Sequence, residues 1–476
     1  MNKKKIFVSG TFNVLHSGHI RLLRFAKELG GHLIVGVQGD KISSGESFVP
    51  ENLRLEAIKT NSFVDETFIF NKSIEDVLHE IKPDIVVKGK EHEYKDNDEA
   101  KVLKKYGGKL LFGSGESIFS SVDLVHKEFE IFSGKFTKAT DFLVRHKINT
   151  DKLKKKIRDF NKLTVTVVGD LIVDEYITCD PIGMSHEDPT MVVTPIDKIK
   201  FVGGAGIVAK HAANFGAKVN FFTIVGDDEE KTFVEKDLKK YSNLNANLVT
   251  DESRPTTLKQ KFRSKGKSLL RVSHLHKDAI SDELQNKIFN LLKSKIKQSN
   301  LLVFSDFNYG CLPQTLVDRI IKIAKENKVY IVADSQSSSQ IGNICRFKNI
   351  NLLTPTEREA RISMRDQDCG LVVLAQSVSQ KAFVAKVLLK LGAEGLLIHS
   401  SNKSLSKFET DRIGALNQVP KDMAGAGDSM LIVSAMVMVL EGTIWEAAYL
   451  GSLASAIEVG KVGNHPLEIE ELLKLI

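Results

Sequence analysis

One stretch constrains this chain more than any other: Ser9-Gly10-Thr11-Phe12-Asn13-Val14-Leu15-His16-Ser17-Gly18-His19-Ile20. The apolar run Ile6-Phe7-Val8 leads into it. Behind it Leu22, Leu23, Phe25, Ala26 and Leu29 repeat at helical spacing among Arg21, Arg24, Lys27 and Glu28, and Gly30-Gly31 closes the pattern. The stretch therefore predicts a turn from a buried strand into a helix N-terminus. There, free backbone N–H groups and the positive end of a helix dipole meet an anion. Gly10 lets the backbone approach a phosphate, and His16 and His19, three residues apart, share a face of a helical turn. Two imidazoles beside a phosphate can donate hydrogen bonds to charge that builds up in phosphoryl or nucleotidyl transfer. Two histidines at this spacing alone would fit an ordinary strand–turn–helix equally well. The whole pattern, between this strand and this helix, favours the chemistry.

These residues resemble the G-T-F-D-x-x-H-x-G-H loop of the cytidylyltransferase-like nucleotidyltransferases, with Asn13 where Asp is usual. The resemblance implies transfer of a nucleotide from ATP or CTP to a phosphorylated acceptor, with release of pyrophosphate. It places Gly10, Thr11 and Phe12 at the nucleotide and His16 and His19 at the transition state. Downstream, strands at Leu33–Val37, Glu66–Phe70, Asp84–Val87 and Lys109–Phe112 alternate with helices at Leu53–Thr60, Ile74–Ile81 and Lys101–Tyr106. Such alternation predicts a doubly wound parallel sheet with ligands at the carboxyl ends of its strands. Asp40, Lys88 and Ser120-Ser121 fall at those ends, and Arg54 on the helix after Pro50. Singly, each is an ordinary surface residue. Together, Val37-Gln38-Gly39-Asp40, Arg54, Val87-Lys88-Gly89-Lys90 and Ser120-Ser121-Val122 resemble the adenylyltransferase half of the bifunctional heptose kinase/adenylyltransferases. The resemblance implies that Lys88, Arg54, Ser120 and Ser121 hold phosphates. The chain departs from it in the loop before Pro50, Ile42 to Val49, which has no basic residue, Lys41 just before it being the one nearby.

At 476 residues the chain needs two or three cores. Its 42% hydrophobic and 27% charged residues argue for globular domains and against disorder. A net charge of +7, with no dense basic block, suits phosphorylated small molecules and not a nucleic-acid surface. Cys179, Cys311, Cys345 and Cys369 lack metal-site or disulfide-frame spacing and read as reduced thiols. Lys3-Lys4-Lys5 before an apolar run mimics a signal peptide, but Gly10, Thr11 and Asn13 break the run too soon. Leu431 to Leu440, the longest apolar run, is too short to span a bilayer. The expectation is a cytoplasmic protein with no membrane partner.

From about Ser133 the apolar periodicity weakens, and residues 137–150 read as a linker. Asp151–Phe160 follows as a basic amphipathic helix with Leu153, Ile157 and Phe160 on its packing face. From Thr164 a buried strand ends in Gly169-Asp170, with a second carboxylate, Asp174, four residues on, and Gly203-Gly204-Ala205-Gly206 opens a helix. Strands at Lys218–Val225, Leu301–Ser305, Val329–Asp334 and Leu396–His399 continue the alternation. Met191–Asp197 and Thr256–Arg271 read as antiparallel strands suited to a lid. The strongest chemistry is Met423-Ala424-Gly425-Ala426-Gly427-Asp428-Ser429, ahead of the apolar helix Met430–Leu440. Small residues at a helix N-terminus leave N–H groups free to hold a transferring phosphoryl group, and Asp428 can accept the proton of an attacking hydroxyl.

This segment resembles the Asp-Thr-x-Gly-Ala-Gly-Asp of the ribokinase (PfkB) family. Gly169-Asp170, Gly203-Gly204, Ser305-Asp306, Thr354-Pro355 with Glu359, and Leu391-Gly392-Ala393-Glu394-Gly395 follow the family's order. The opening Gly169-Asp170-x-x-x-Asp174-x-Tyr176 is similar to the heptose kinase half of the same bifunctional enzymes, in which the kinase comes first. Here the order is swapped. The resemblance implies Asp428 as base and Gly425, Ala426 and Gly427 as anion hole. It also implies Asp170, Asp174, Gly203 and Gly204 at the sugar, and Glu359 beside Mg2+-bound phosphates of ATP. The chain departs from it at Ile207, Thr356 and Ala424, where Asn, Asn and Thr are usual, and at Tyr309, where Lys is usual.

The sequence thus predicts a two-domain α/β protein: a Rossmann-like nucleotidyltransferase fold over 1–136 and a ribokinase-like fold with a small β lid over 151–476. By resemblance it would phosphorylate a heptose-like sugar from ATP with Mg2+. It would also join a sugar 1-phosphate to a nucleotide, AMP from ATP or the equivalent from CTP, giving an ADP-heptose-like precursor of a surface polysaccharide. A second reading keeps only the N-terminal activity, with the kinase-like domain as a binding or dimerisation module. A homodimer through the lid is a further expectation.

Overall fold

The structure, a computed structural model, describes residues 4–15, 17–29, 31–43, 47–89, 97–113, 139–264, 267–337, 341–402, 404–405 and 407–476. His16, Lys90, Ser120 and Ser121 lie outside these residues. The chain divides into two compact units, residues 1–134 with 366–374, and residues 135–365 with 375–476.

In the first unit β1 (Lys5–Gly10), β2 (His32–Gln38), β3 (Glu66–Phe70), β4 (Ile85–Gly89) and β5 (Lys109–Gly113) form a parallel sheet in the order β3-β2-β1-β4-β5. Period-2 alternation sends Ile6 and Val8 to one core and Phe7 to the other, so both faces are covered, as a parallel sheet requires. Helix Ser17–Glu28 puts Leu22, Leu23 and Ala26 on the first face, and helix Ile74–Ile81 puts Val77 and Leu78 on the second. Strand order reverses between β1 and β4, which places the crevice of a doubly wound fold at Gly10 and Gly89.

The second unit begins earlier than the expected linker allows. Helix Thr140–Arg145 buries Phe142 in this unit's core, His146 stacks on Trp445 at 4.1 Å, and Asp411 binds both Arg145 (2.7 Å) and His146 (2.5 Å). An aromatic anchor and one half-buried carboxylate turn part of a linker-like sequence into structure. Helix Thr150–Arg158 and the 3-10 turn after it bury Leu153, Ile157 and Phe160, as their spacing predicts.

After β6 (Thr164–Gly169) the chain leaves the main sheet as β7 (Leu171–Met184) and β8 (Met191–Gly204), and returns as β9 (Lys218–Val225) and β10 (Leu244–Thr250). It leaves again as β11 (Leu258–Ser264) and β12 (Lys267–His274). It then completes the sheet with β13 (Leu301–Asp306), β14 (Tyr330–Ser335), β15 (Leu352–Leu353), β16 (Lys386–Lys390), β17 (Leu396–Ser401) and β18 (Phe408–Ile413). The nine-stranded sheet runs β10-β9-β6-β13-β14-β15-β16-β17-β18, parallel up to β16 and antiparallel beyond. The lid is a second sheet, β12-β11-β7-β8. The strand expected to end at Gly169-Asp170 does so, and a strand of the lid follows it directly. The break falls at Asp170, whose N–H bonds to the Ser305 carbonyl (3.1 Å), and Asp174 belongs to the lid. Helix Ala426–Val439 is buried nearly all round by its neighbours, which accounts for an apolar sequence with no polar face.

Candidate active sites

In the first unit, the turn after β1 is held by side chains on three sides. Phe12 takes a left-handed φ of 53° and is buried, its ring edge-on to that of His19 at 5.0 Å between centroids. A methyl group on Gly10 would press on the Phe12 ring at 3.2 Å, so the glycine makes room for this aromatic contact. His19 Nδ1 lies 3.1 Å from the Val14 carbonyl oxygen; a carbonyl only accepts, so that contact puts the hydrogen on Nδ1. Asn13 is buried, and its Oδ1 accepts the Phe48 N–H at 2.9 Å, tying the loop to the segment before Pro50. Thr11 Oγ1 donates to Gln38 Oε1 at 3.1 Å.

Arg54 corrects its expected role. It is 1% exposed, and its guanidinium donates to the carbonyl oxygens of Val49, Thr11 and Gln38 and to the Asp40 carboxylate. It is a buried clamp on the turn after β1, its charge turned to protein carbonyls and to Asp40. The hydrogen bond from Arg54, aided by the Glu51 N–H, holds the Asp40 carboxyl below its ordinary range against the opposing effect of desolvation. Lys88 ends β4 at the crevice, and its ammonium pairs with the buried Glu99 at 2.7 Å.

In the second unit Gly425 caps helix Ala426–Val439 with a φ of 76°, which only glycine adopts without strain. Asp428 lies in the helix's first turn, 5% exposed, and its Oδ1 has no hydrogen-bond partner. Burial, then the charge of Asp334, pushes its pKa up to about 8, with Lys390 opposing. A cavity of about 370 Å³ opens on the same turn, lined by Ala426, Gly427, Glu359, Lys390, Leu416 and Ala456 among others. Glu359 closes a capping box with Thr356 and also accepts the Ser337 N–H at 3.3 Å. Thr356, in place of Asn, therefore still caps this helix. Mg2+ is usually held by one or two carboxylates together with substrate phosphates and water, and Glu359 on the cavity wall fits that pattern. Among the described residues no group of three or more His, Cys, Asp or Glu could hold a metal alone.

The expected sugar residues separate into two kinds. Asp170 accepts the N–H groups of Phe307 (2.8 Å), Tyr309 (3.3 Å) and Cys311 (3.1 Å), so it shapes the 307–311 turn and is not a sugar contact. Burial, with the Asp306 charge, raises it to about 6. Asp174 is buried where Gly203 lets the backbone pass; a methyl there would lie 2.3 Å from Asp174 Oδ2, which accepts Asn464 Nδ2 at 2.8 Å. Gly204 turns β8 into helix Ala205–Asn214, where Ile207 is fully buried.

The sequence reading passed over a basic row beside this cluster. Lys259 pairs in register with Asp174 and Lys261 with Tyr176, and Arg263 is next in phase. Lys261 donates to the Tyr176 hydroxyl at 2.6 Å, which donates to Asp422 at 2.6 Å. Lys259 covers the rings of Phe307 and Tyr309 at 5.4 and 5.0 Å. Basic residues at every second position of a lid strand were the available signal. Lys390 was also passed over; a lysine in phase with the buried residues of β16 was its signal.

A doubly wound sheet, a β lid and a glycine turn carrying a buried aspartate at a helix N-terminus define a sugar-kinase-type unit, which follows in sequence a smaller unit of nucleotidyltransferase type. The chain belongs to the pfkB family of carbohydrate kinases, whose model matches residues 163–469, more than half of it. A cytidylyltransferase-like model matches residues 7–140. Among curated relatives, the bifunctional protein HldE of Aliarcobacter butzleri is 27% identical over 317 residues, covering 65% of this chain and 64% of the relative. That of Rhodopseudomonas palustris is 28% identical over 330 residues, covering 67% and 64%. The chain thus spans about 64% of the length of these relatives. Among solved structures, an Arabidopsis thaliana ribokinase complexed with ribose and ATP aligns with a TM-score of 0.51 at 18% identity. It covers 66% of this chain and 98% of that one. Phosphofructokinase-2 of Escherichia coli aligns with a TM-score of 0.53 at 15% identity, covering 66% and 97%. These two likenesses establish the ribokinase-like fold of the larger unit.

Proposed function

We propose that this chain catalyses two steps of nucleotide-sugar synthesis. Its C-terminal unit phosphorylates a heptose-like sugar phosphate from ATP, and its N-terminal unit transfers AMP from ATP, or CMP from CTP, to a sugar 1-phosphate. The observation that carries the reading is Asp428: a buried carboxylate oxygen without a partner, on the helix N-terminus that borders the cavity. Asp428 takes the proton of the acceptor hydroxyl as that oxygen attacks the γ-phosphorus. The N–H groups of Ala426, Gly427 and Asp428 receive the charge on the transferring group. Glu359 would help to hold Mg2+, which would supply positive charge to the nucleotide phosphates. The row Lys259, Lys261 and Arg263 beside Asp174 supports an acceptor that already carries a phosphate.

In the N-terminal unit, the phosphate oxygen of the sugar 1-phosphate attacks the α-phosphorus and pyrophosphate leaves. His16 and His19 stabilise the transition state and Lys88 supports a phosphate. The HldE names support the pairing of the two activities. The apolar residues Ile182, Met184, Met191, Ile196, Ile199 and Leu270 stand exposed on the lid and support a homodimer through it. No helix among the described residues is long and apolar enough to cross a membrane. The test is a pair of assays on the full chain with ATP or CTP. Sugar phosphorylation is followed over a panel of hexose and heptose phosphates, and pyrophosphate release over sugar 1-phosphates. Pyrophosphate release without phosphorylation of any sugar would leave the C-terminal unit as a binding or dimerisation module.

A further inference from the structure

A cleft that takes a nucleoside triphosphate must offset several negative charges. Here backbone N–H groups do part of this, and among the described residues lining the cavity one side chain is cationic, Lys390. It ends β16, 8% exposed, with Thr356 beside it in a parallel bridge. Its ammonium donates to both oxygens of Asp334, at 2.9 and 2.8 Å. An ammonium has three N–H bonds, so one is left for a ligand. The ammonium also faces the anion turn: a methyl group on Gly427 would lie 3.2 Å from Lys390 Nζ and 3.9 Å from Asp334 Oδ2. Glycine at 427 thus admits a charged group to the surface where the backbone N–H groups of the turn emerge.

We propose that Lys390 is a phosphate-binding residue of the kinase reaction, contacting the triphosphate chain of the nucleotide from the Gly427 side while Asp334 holds its ammonium in place. This inference rests on the kinase reading of the C-terminal unit. A purely structural ion pair would also bury Lys390 and Asp334, but it would not need to lie on the cavity wall against Gly427. The ammonium is a point charge, so it can follow phosphate oxygens as bond order shifts from the nucleotide to the acceptor. Asp334 and Asp428 both bear on it, and its charge in turn favours the ionised form of Asp428. Lys390 therefore links phosphate binding to the readiness of the base.

The test separates phosphate binding from packing. Removing Lys390 alone leaves Asp334 buried and uncompensated, which destabilises in itself. The informative variant is the full-length double replacement Lys390→Met with Asp334→Asn, alongside Lys390→Arg, which keeps the charge. Sugar phosphorylation is measured for kcat and KM toward ATP. The Ki of adenosine, a competitor without phosphates, reports the base and ribose part of the same site and excludes the N-terminal nucleotide site from the readout. Expected for the double variant is a fall in kcat/KM for ATP of roughly a hundredfold or more, with adenosine Ki within about twofold of wild type. Lys390→Arg should lie between the two. A double variant whose kcat/KM stays within about threefold, or whose adenosine Ki weakens as much as ATP use, overturns the role of Lys390 and leaves the kinase reading standing. A wild type that phosphorylates no sugar phosphate overturns both.

Discussion

Arg54 Nη1 donates to the carbonyl oxygen of Thr11, joining the helix after Pro50 to the turn that follows β1. The same guanidinium holds the carbonyls of Gln38 and Val49, so one side chain fixes three loop segments. Arg54→Met would leave three carbonyl oxygens short of a donor beneath a fully buried side chain. Each such loss costs about 1–3 kcal/mol with partial relief from relaxation, so the first unit should lose about 2–4 kcal/mol. Pyrophosphate release should fall because the turn leading into the helix of His19 is no longer held. Urea unfolding followed in the first unit, with the pyrophosphate assay, checks this. A variant of wild-type stability with only a raised KM for nucleotide would return Arg54 to the role of a ligand-facing cation.

His19 sits in the first turn of helix Ser17–Glu28, its Nδ1 on the Val14 carbonyl and its ring against Phe12. His19→Ala should lower pyrophosphate release by on the order of a hundredfold while the far-ultraviolet circular dichroism is kept. His16→Ala should have an effect of the same order. Phosphorylation of sugar by the C-terminal unit should not change in either variant. Full nucleotidyl transfer by both folded variants would remove the histidines from the mechanism.

Ile196 and Ile199 lie on β8, 67% and 52% exposed, in the lid. A lid held open to water by isoleucines is costly in isolation, and a second copy of the chain is the partner the proposed dimer supplies. Ile196→Glu with Ile199→Glu should shift sedimentation from a dimer to a monomer at micromolar protein. A wild type that sediments as a monomer at every concentration would refute the dimer.

Both units were legible in the sequence because their strands and helices carry strong periodicity. Ile74–Ile81 and Glu66–Phe70 begin and end where their patterns do. The expected lid segments Met191–Asp197 and Thr256–Arg271 overlap β8 and the β11–β12 pair, while β7 was not read as part of the lid. The glycine turn before Asp428 was equally plain. What was hidden depends on contacts distant in sequence. Arg54 reads as a phosphate ligand until its donors are seen to go to the carbonyls of Thr11, Gln38 and Val49 and to the Asp40 carboxylate. Asp170 reads as a sugar ligand until the N–H groups of Phe307, Tyr309 and Cys311 converge on it. A residue type and its spacing specify what a side chain can bond, while the neighbours that reach it first come from folding.

The last prediction concerns the pH behaviour of Asp428. Its pKa is raised to about 8, first by burial and then by the Asp334 charge, so below that pH the substrate-free protein carries a protonated Asp428. A base must be ionised to accept a proton. The kcat/KM for sugar phosphorylation should therefore rise about tenfold per pH unit up to roughly pH 8 and level off above it. Stability should move the other way. The unfolded chain ionises this group near its ordinary value of 3.8 while the folded chain keeps the proton to about 8. The folded state thus binds the extra proton between those limits, and stability falls as pH rises through that window. Asp428→Asn removes the ionisable group and should remove this part of the slope. It should melt no lower than wild type at pH 8, yet transfer phosphate about a hundredfold to ten-thousandfold more slowly. Pyrophosphate release by the N-terminal unit should be untouched. Thermal melts and both assays across pH 5–9 check each part. A flat wild-type profile for sugar phosphorylation, or an Asp428→Asn variant as fast as wild type, would show that another group takes the proton.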